Sequence, residues 1–229
     1  MESPLSIISS KATGPLLAEL AQGYQAAHGL VVTLESIGGV DAARRVAAGE
    51  KFDVVVLDAA QIARLAAAGR VLADTARPMV RSTAMLAVRA GAPQPAIATL
   101  DAFKAALLAA RSVGFSTGPS GVALLGMIEA WGLTAQLKDR LIQAPPGKPV
   151  GAMIAQGDVE IGMQQYSELM SVAGIAILGP LPPGAEIASV FTAAVCAASA
   201  RPEQARQLVE FLTAPAVAEV KQRQGFELV

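Results

Sequence analysis

The sequence predicts an α/β fold of two lobes, with mostly parallel central sheets and helices on both faces of each sheet. Apolar runs of strand length alternate with amphipathic stretches of helical length. This alternation occurs twice along the 229 residues, and one further strand and a helical tail follow it. Because ligands of parallel α/β sheets bind at the carboxyl ends of the strands, we expect a ligand cleft between the lobes.

The first series of elements occupies the N-terminal part of the chain. Its third strand is a nearly continuous apolar run, which is typical of a strand that is covered on both faces. Glycines end its helices, as they commonly do. Strands and helices in this order imply parallel pairing with right-handed crossovers. The predicted elements are strand Leu5–Ser9, helix Pro15–Ala27, strand Leu30–Ser36, helix Val40–Ala48, strand Phe52–Asp58 and helix Ala59–Ala68.

The second series repeats the pattern and leads into the tail. Thr99 is a plausible N-cap for its first helix, and Pro215 separates the two helices of the tail. The predicted elements are strand Ser82–Arg89, helix Leu100–Ala110, strand Ser112–Ser116, helix Val122–Trp131, helix Pro149–Gln156, strand Val159–Gln165, a helical turn at Ser167–Val172, strand Ile175–Leu178, strand Ile187–Ala197, and helices Pro202–Leu212 and Pro215–Gln224.

The tail has no sheet of its own, so it must pack on one of the two series. We therefore expect a discontinuous first lobe made of residues 1–80 and 189–229, with residues 81–188 inserted as the second lobe. Two strand-like crossings, near residues 80–88 and 187–195, would join the lobes.

The composition excludes several classes of protein. Hydrophobic residues make up 53% of the chain, which excludes a disordered protein. Eighteen Lys and Arg residues against nineteen Asp and Glu residues give a net charge of −1, which argues against nucleic acid as a partner. No stretch has the ~20 apolar residues that a membrane-spanning helix needs, so we expect no membrane insertion.

Covalent, metal and cofactor chemistry find no support in the motifs. The single cysteine, Cys196, stands in an apolar run, and the single histidine, His28, stands at the end of a helical stretch before Gly29. We expect a buried cysteine and a histidine that caps its helix, and therefore no catalytic residue, no metal and no cofactor. The N-terminus lacks a secretory signal pattern. A periplasmic protein whose signal was removed and a cytoplasmic protein both stay open.

Candidate ligand-binding residues follow the strands of the first lobe. Ser9, Ser10 and Lys11 come after the first strand, directly before a helix. Hydroxyls, free N–H groups and the positive end of a helix dipole together suit an anion. Gly38 and Gly39 come after the second strand, where glycines let a ligand approach the backbone N–H groups. An N-cap at the first position and a plain tight turn at the second are the structural alternatives.

The second lobe has two comparable positions. After the strand that ends near Phe115, a turn offers the Ser120 hydroxyl and the N–H of Gly121 to a ligand. After the strand that ends at Gln165, amides and the Ser167 hydroxyl can hydrogen-bond a carboxylate. A capped turn and a polar surface loop are the alternatives. Because neutral donors dominate, we expect an anion that is held by hydrogen bonds.

The chain resembles solute-binding proteins of the periplasmic type II class, in the branch of the molybdate-binding proteins. The resemblance covers nearly the whole chain. It rests on the turns at Ser9-Ser10 and Gly38-Gly39, on Gly49-Glu50-Lys51-Phe52-Asp53-Val54, on Gly157-Asp158-Val159-Glu160-Ile161-Gly162, and on Phe211-Leu212-Thr213-Ala214-Pro215.

The chain also departs from the molybdate-binding pattern. Its second turn has no serine, and Gln165 stands close to where molybdate-binding proteins have a tyrosine. The run Gln164-Gln165-Tyr166-Ser167-Glu168 looks more like a subgroup that includes aconitate isomerase, which implies a small organic acid as the ligand.

The resemblance implies a monomeric protein that binds a small oxyanion or carboxylate and delivers it to an ABC permease, with no covalent chemistry. The alternative is an isomerase that moves a proton within a small unsaturated polycarboxylate. Such an enzyme needs a general base, for which Lys11, Tyr166 and Glu168 are the candidates. A third possibility is an interaction domain without a working ligand site.

Overall fold

The computed structural model describes residues 3–145 and 147–229 and divides them into two compact units. The first unit is the chain up to Arg81 together with Val190–Val229, and the second is Ser82–Ser189. The chain passes from one unit to the other within the strand Arg77–Arg89 and again within the strand Ala188–Val195.

The predicted α/β class is confirmed by the order of the elements. The strands are β1 (Leu5–Ser10), β2 (Val32–Ile37), β3 (Val54–Asp58), β4 (Arg77–Arg89), β5 (Val113–Phe115), β6 (Leu141–Gln143), β7 (Ile161–Gln165), β8 (Ile175–Pro180) and β9 (Ala188–Val195). The α-helices are α1 (Gly14–His28), α2 (Gly39–Ala47), α3 (Ala59–Ala67), α4 (Leu100–Ala109), α5 (Pro119–Ala130), α6 (Thr134–Leu137), α7 (Val150–Gln156), α8 (Tyr166–Leu169), α9 (Pro202–Thr213) and α10 (Ala218–Arg223).

The sheet of the first unit has the strand order β2-β1-β3-β9. β1 pairs in parallel with β2 and β3, whereas β9 pairs with β3 in the antiparallel direction. Successive side chains of β3 point to opposite faces of the sheet, so each face has its own core. Val54 and Val56 pack in the core that α1 and α9 cover, and Val55 and Leu57 pack in the core that α2 and α3 cover.

The sheet of the second unit has the strand order β4-β7-β5-β6, and β8 also pairs with β4. β5 is parallel to β6 and β7, while β4 is antiparallel to β7 and β8. One face of this sheet packs on α4 and α5 through residues such as Phe103 and Leu124, and the other packs on α7 through Val150 and Ile154. In both units the parallel strands therefore end at the edge where the candidate residues lie.

Some elements differ from the sequence-based expectations. The short strand β6 and the short helix α6 were not predicted, and β4 begins at Arg77 rather than Ser82. Helix α5 begins at Pro119, so Ser120 and Gly121 lie in its first turn rather than in a turn before it. Proline is favoured at the first helical position because its missing N–H has no partner there anyway.

Among the helices that the structure describes, none combines the length and the apolar character needed to cross a lipid bilayer.

We predict that residues 81–188 fold on their own more readily than residues 1–80. The first 80 residues lack β9, which pairs with β3, and α9, which contributes Leu208 and Leu212 to the core. The isolated inserted segment should show a cooperative thermal transition and dispersed amide signals in NMR spectra. A cooperative transition of residues 1–80 alone would contradict this division.

Candidate functional site

The strand β1 ends in two serines with different surroundings. The buried Ser9 hydroxyl donates to the carbonyl of Ser10 (3.2 Å) and therefore accepts from the hydroxyl of Ser36 on β2 (2.8 Å). The Ser10 side chain is only 8% exposed, and its Oγ has no hydrogen-bond partner within residues 3–145 and 147–229. Ser9 thus serves to join two strands, whereas Ser10 keeps a hydroxyl that is free to bind a ligand.

The glycines after β2 lie beside Ser10. Gly38 is the N-cap of α2, and Gly39 is its first residue. A Cβ placed on Gly39 would lie 3.5 Å from the Cβ of Ser10 and 3.5 Å from Oε1 of Gln61 in α3. The first helical hydrogen bond of α2 runs from the N–H of Ala42 to the carbonyl of Gly38 (2.9 Å). The N–H of Gly39 therefore precedes the hydrogen-bonded ladder, next to the unpartnered hydroxyl of Ser10.

We call Ser9, Ser10, Lys11, Gly38 and Gly39 the first half-site. Lys11 is exposed, in a 3₁₀ turn between β1 and α1.

Gln61 is a neighbour of this half-site that the sequence analysis missed. It lies in the first turn of α3, where its amide approaches Gly39. The sequence feature that could have identified Gln61 is its position, three residues after the last residue of β3. Asp58, at that strand end, instead caps α3 by accepting from the N–H of Ala60 (3.0 Å).

The start of helix α5 forms the first part of a second half-site. The buried Ser120 hydroxyl lies 3.2 Å from the hydroxyl of Ser116, which follows β5. The first helical bond of α5 runs from the N–H of Val122 to the carbonyl of Gly118 (3.2 Å), so the N–H groups of Ser120 and Gly121 precede it. A helix N-terminus with two free N–H groups and a hydroxyl suits a negatively charged group.

The end of strand β7 forms the other part of the second half-site. Gln164 and Gln165 are both buried, but only Gln164 has hydrogen bonds to both ends of its amide. Its Oε1 accepts from the N–H of Gly151 (3.0 Å), and its Nε2 donates to Oε1 of Glu168 (2.8 Å). Gln164 therefore joins β7 to the start of α7 and to α8, which is a structural role.

Gln165 uses only one end of its amide. Its Nε2 donates to the hydroxyl of Ser189 (3.1 Å), and its buried Oε1 has no partner among the residues that the structure describes. Ser167 is buried in the short helix α8 that follows. We call Ser120, Gly121, Gln165 and Ser167 the second half-site.

Neutral side chains and backbone N–H groups make up most of both half-sites. Lys11 is the only residue of the two sets that carries a formal charge. Within residues 3–145 and 147–229, no group of three or more His, Cys, Asp or Glu side chains could hold a metal ion. Burial, and to a lesser extent Asp53, raises the pKa of the Cys196 thiol to about 12, so this buried cysteine is protonated at neutral pH and does not act as a nucleophile.

The architecture is the fold of type II periplasmic solute-binding proteins, as two solved structures show. The periplasmic molybdate-binding protein of Azotobacter vinelandii has a TM-score of 0.79 and 18% identity, over 98% of this chain and 99% of that chain. The sulfate-binding protein SubI of Mycobacterium tuberculosis H37Rv has a TM-score of 0.81 and 20% identity, over 100% of this chain and 88% of that chain.

Sequence comparisons assign the family. Residues 5–227 match the family model of the bacterial extracellular solute-binding proteins, and the chain belongs to this family. It is also 34% identical to the aconitate isomerase of a Pseudomonas species over 233 residues, which cover 98% of this chain and 88% of that protein. The resemblance drawn from the sequence motifs is thus confirmed.

Proposed function

We propose that the chain binds a small anion through the neutral donors of both half-sites, as the solute-binding component of an ABC-type importer. The observation that carries the proposal is that Ser10 and Gln165, two residues predicted from the sequence to bind the ligand, each keep a buried polar atom without a partner in the described structure. Buried polar groups in proteins are nearly always hydrogen-bonded, so groups left unpaired suggest a ligand that pairs with them.

The surroundings of these groups favour a negative charge on the ligand. The N–H groups of Gly39 and of Ser120 and Gly121 stand at helix N-termini, where the helix dipole adds a partial positive charge. Each helix N-terminus is accompanied by a serine hydroxyl that can donate. Membership in the solute-binding family supports delivery of the ligand to a permease.

A thermal-shift screen tests the proposal directly. The screen covers molybdate, tungstate, sulfate, phosphate and a panel of di- and tricarboxylates. A ligand present at about 100 times its dissociation constant stabilises the folded state by ~2.7 kcal/mol. We expect at least one of these anions to raise the melting temperature, and a screen without any shift would contradict the proposal.

We predict that Ser10→Ala and Ser120→Ala each weaken binding of that anion by roughly 10- to 100-fold. A hydrogen bond to a charged group contributes about 1.5–3 kcal/mol, which corresponds to this range. Calorimetric titration measures the affinities, and thermal unfolding of the unliganded variants should stay close to the wild type. Ser171→Ala, at an exposed position in the second unit, is the control. Wild-type affinity in both site variants would remove these serines from the site.

Isomerisation of a small unsaturated polycarboxylate is the second candidate function. The observation that favours it is the 34% identity to an aconitate isomerase over nearly the whole chain. A base would remove a proton from one carbon of the substrate, and a proton would return to another carbon of the same molecule. Of the candidate bases, Lys11 is exposed, whereas Tyr166 and Glu168 are half-buried, and the carboxylate of Glu168 accepts from Gln164 (2.8 Å).

NMR spectroscopy separates the two functions. The protein is incubated with cis-aconitate and, separately, with trans-aconitate in D₂O. An isomerase would interconvert them, and Glu168→Gln would abolish the reaction if Glu168 is the base. A binding protein would bind without interconversion.

A further inference from the structure

The amide of Gln165 hydrogen-bonds a residue at the start of another strand. Gln165 is the last residue of β7 and pairs with Ala84 on β4. Among the described residues, the only side-chain hydrogen bond of Gln165 runs from Nε2 to the hydroxyl of Ser189, at the start of β9 (3.1 Å). All three residues belong to the second unit. In this orientation Oε1, an acceptor, is the free end of the amide.

The contrast with Gln164 shows that an open amide is not a general property of this strand end. The two glutamines are adjacent and equally buried, with exposed fractions of 3% and 4%. Gln164 has a donor at its oxygen and an acceptor at its nitrogen, whereas the oxygen of Gln165 has no donor in the described part of the chain. A free buried oxygen of this kind requires a hydrogen-bond donor from outside the chain.

A second unpartnered group lies close by in the same sheet. The N–H of Ala84 donates to the carbonyl of Ile187 (2.8 Å). Ser82 lies two residues before Ala84, and Ser189 lies two residues after Ile187. Because side chains alternate along a strand, both serines share a face with the pair Ala84 and Ile187. Ser82 is fully buried, and its Oγ has no partner in the residues described. A serine hydroxyl can accept as well as donate, so Ser82 is a second buried polar group near Ala84 that can pair with a ligand.

We propose that Oε1 of Gln165 accepts a hydrogen bond from a hydroxyl group of the ligand and that the ligand is a hydroxy-carboxylate anion. The inference rests on the proposed function, since the carboxylate end of the ligand needs the donors of the half-sites. Molybdate, tungstate, sulfate and a fully ionised carboxylate offer no donor to an amide oxygen. A hydroxyl supplies one without bringing a charge that a neutral amide would have to balance.

Gln165→Leu tests the role of the amide oxygen, because leucine is close to glutamine in size and has no polar side-chain atom. The variant cannot accept a hydrogen bond from a ligand hydroxyl, so the preference for a hydroxylated ligand should be lost. Ser189 is unchanged in this variant, and its hydroxyl does not select between the two ends of the amide, since it can accept from Nε2 or donate to Oε1.

Calorimetric titration of the full-length protein with matched ligand pairs tests the inference. Citrate and tricarballylate differ by one hydroxyl group, and so do malate and succinate. We expect the wild type to bind the hydroxylated member of at least one pair roughly 10- to 100-fold more tightly, because the analogue without it leaves the buried oxygen unpaired. In Gln165→Leu this ratio should fall to within about threefold. The exposed control Ser171→Ala should keep it.

The other outcomes separate this inference from the proposed function. Equal affinities within each pair, or a preference for the analogue without the hydroxyl, would overturn the inference and leave anion binding in place. Binding of molybdate or sulfate without binding of either ligand pair would also overturn the inference and leave anion binding in place. Binding of no anion at all would contradict both. The comparison of wild-type affinities needs no variant, so it is decisive even if Gln165→Leu fails to fold.

Discussion

Replacing Gly121 by alanine is expected to destabilise the second unit by about 3 kcal/mol or more and to abolish ligand binding. A Cβ at this position would lie 1.8 Å from the carbonyl oxygen and 2.9 Å from the carbonyl carbon of Ser116. These are backbone atoms at the end of β5, which cannot move aside as the tip of a flexible side chain can. The start of α5 would have to shift, and Ser120 lies in that turn.

Gly126→Ala is the matched control, because Gly126 lies in the same helix. A Cβ at this position would have no atom within 4 Å. Alanine is favoured over glycine inside a helix, so this variant should be more stable than the wild type by up to about 1 kcal/mol. Urea denaturation measures both variants. Similar stability of Gly121→Ala and the wild type would show that the close approach of α5 to Ser116 is not required.

Replacing Asp53 by alanine is expected to destabilise the first unit by about 3–5 kcal/mol, because it removes a buried acceptor that three residues share. The carboxylate accepts from the N–H (2.8 Å) and the hydroxyl (3.0 Å) of Ser6 on β1. It also accepts from the hydroxyl of Ser199 (2.6 Å), and Arg201 at the start of α9 lies 3.6 Å away. Without the carboxylate these donors and the guanidinium lose their partner.

Asp74→Ala is the control for the loss of a carboxylate paired with an arginine. Asp74 forms an ion pair with Arg206 (2.7 Å), and this arginine holds the pKa of the Asp74 carboxyl below its usual value. The pair is exposed, and solvent screens such pairs, so the melting temperature should stay near that of the wild type. Equal melting temperatures of Asp53→Ala and Asp74→Ala would show that burial of Asp53 adds no stability.

The first unit could be predicted closely from the sequence because its local signals agree with one another. β1, α1, β2, α2, β3 and α3 all appear in the expected order, with ends that differ by a few residues at most. Apolar runs such as Val54–Asp58 have no competing interpretation when Ala59–Ala67 follows with a helical period. The strand ends, and with them the candidate ligand residues, follow from this order.

The second unit was predicted less well where elements are short or begin in a turn-like sequence. β6 has three residues, of which Ile142 and Gln143 are exposed, so it has no hydrophobic pattern of its own. It exists because Leu141–Gln143 pairs with β5. The start of α5 contains Pro119, Ser120 and Gly121, which are typical of turns. At this position only a residue without a Cβ fits beside the carbonyl of Ser116, which no local pattern reveals.

The order of strands and helices, and the position of polar residues at the strand ends, were determined by the sequence alone, because hydrophobic periodicity and glycine positions are local properties. Only the tertiary structure decided which of two adjacent polar residues is free. The Ser9 hydroxyl bonds the hydroxyl of Ser36, whereas the Ser10 hydroxyl has no partner in the described structure. In the same way, the amide oxygen of Gln164 accepts a hydrogen bond, whereas that of Gln165 has no partner in the described structure. The partners Ser36, Gly151 and Ser189 are 13 to 27 residues away in the chain, and folding brings them together through strand pairing and helix packing.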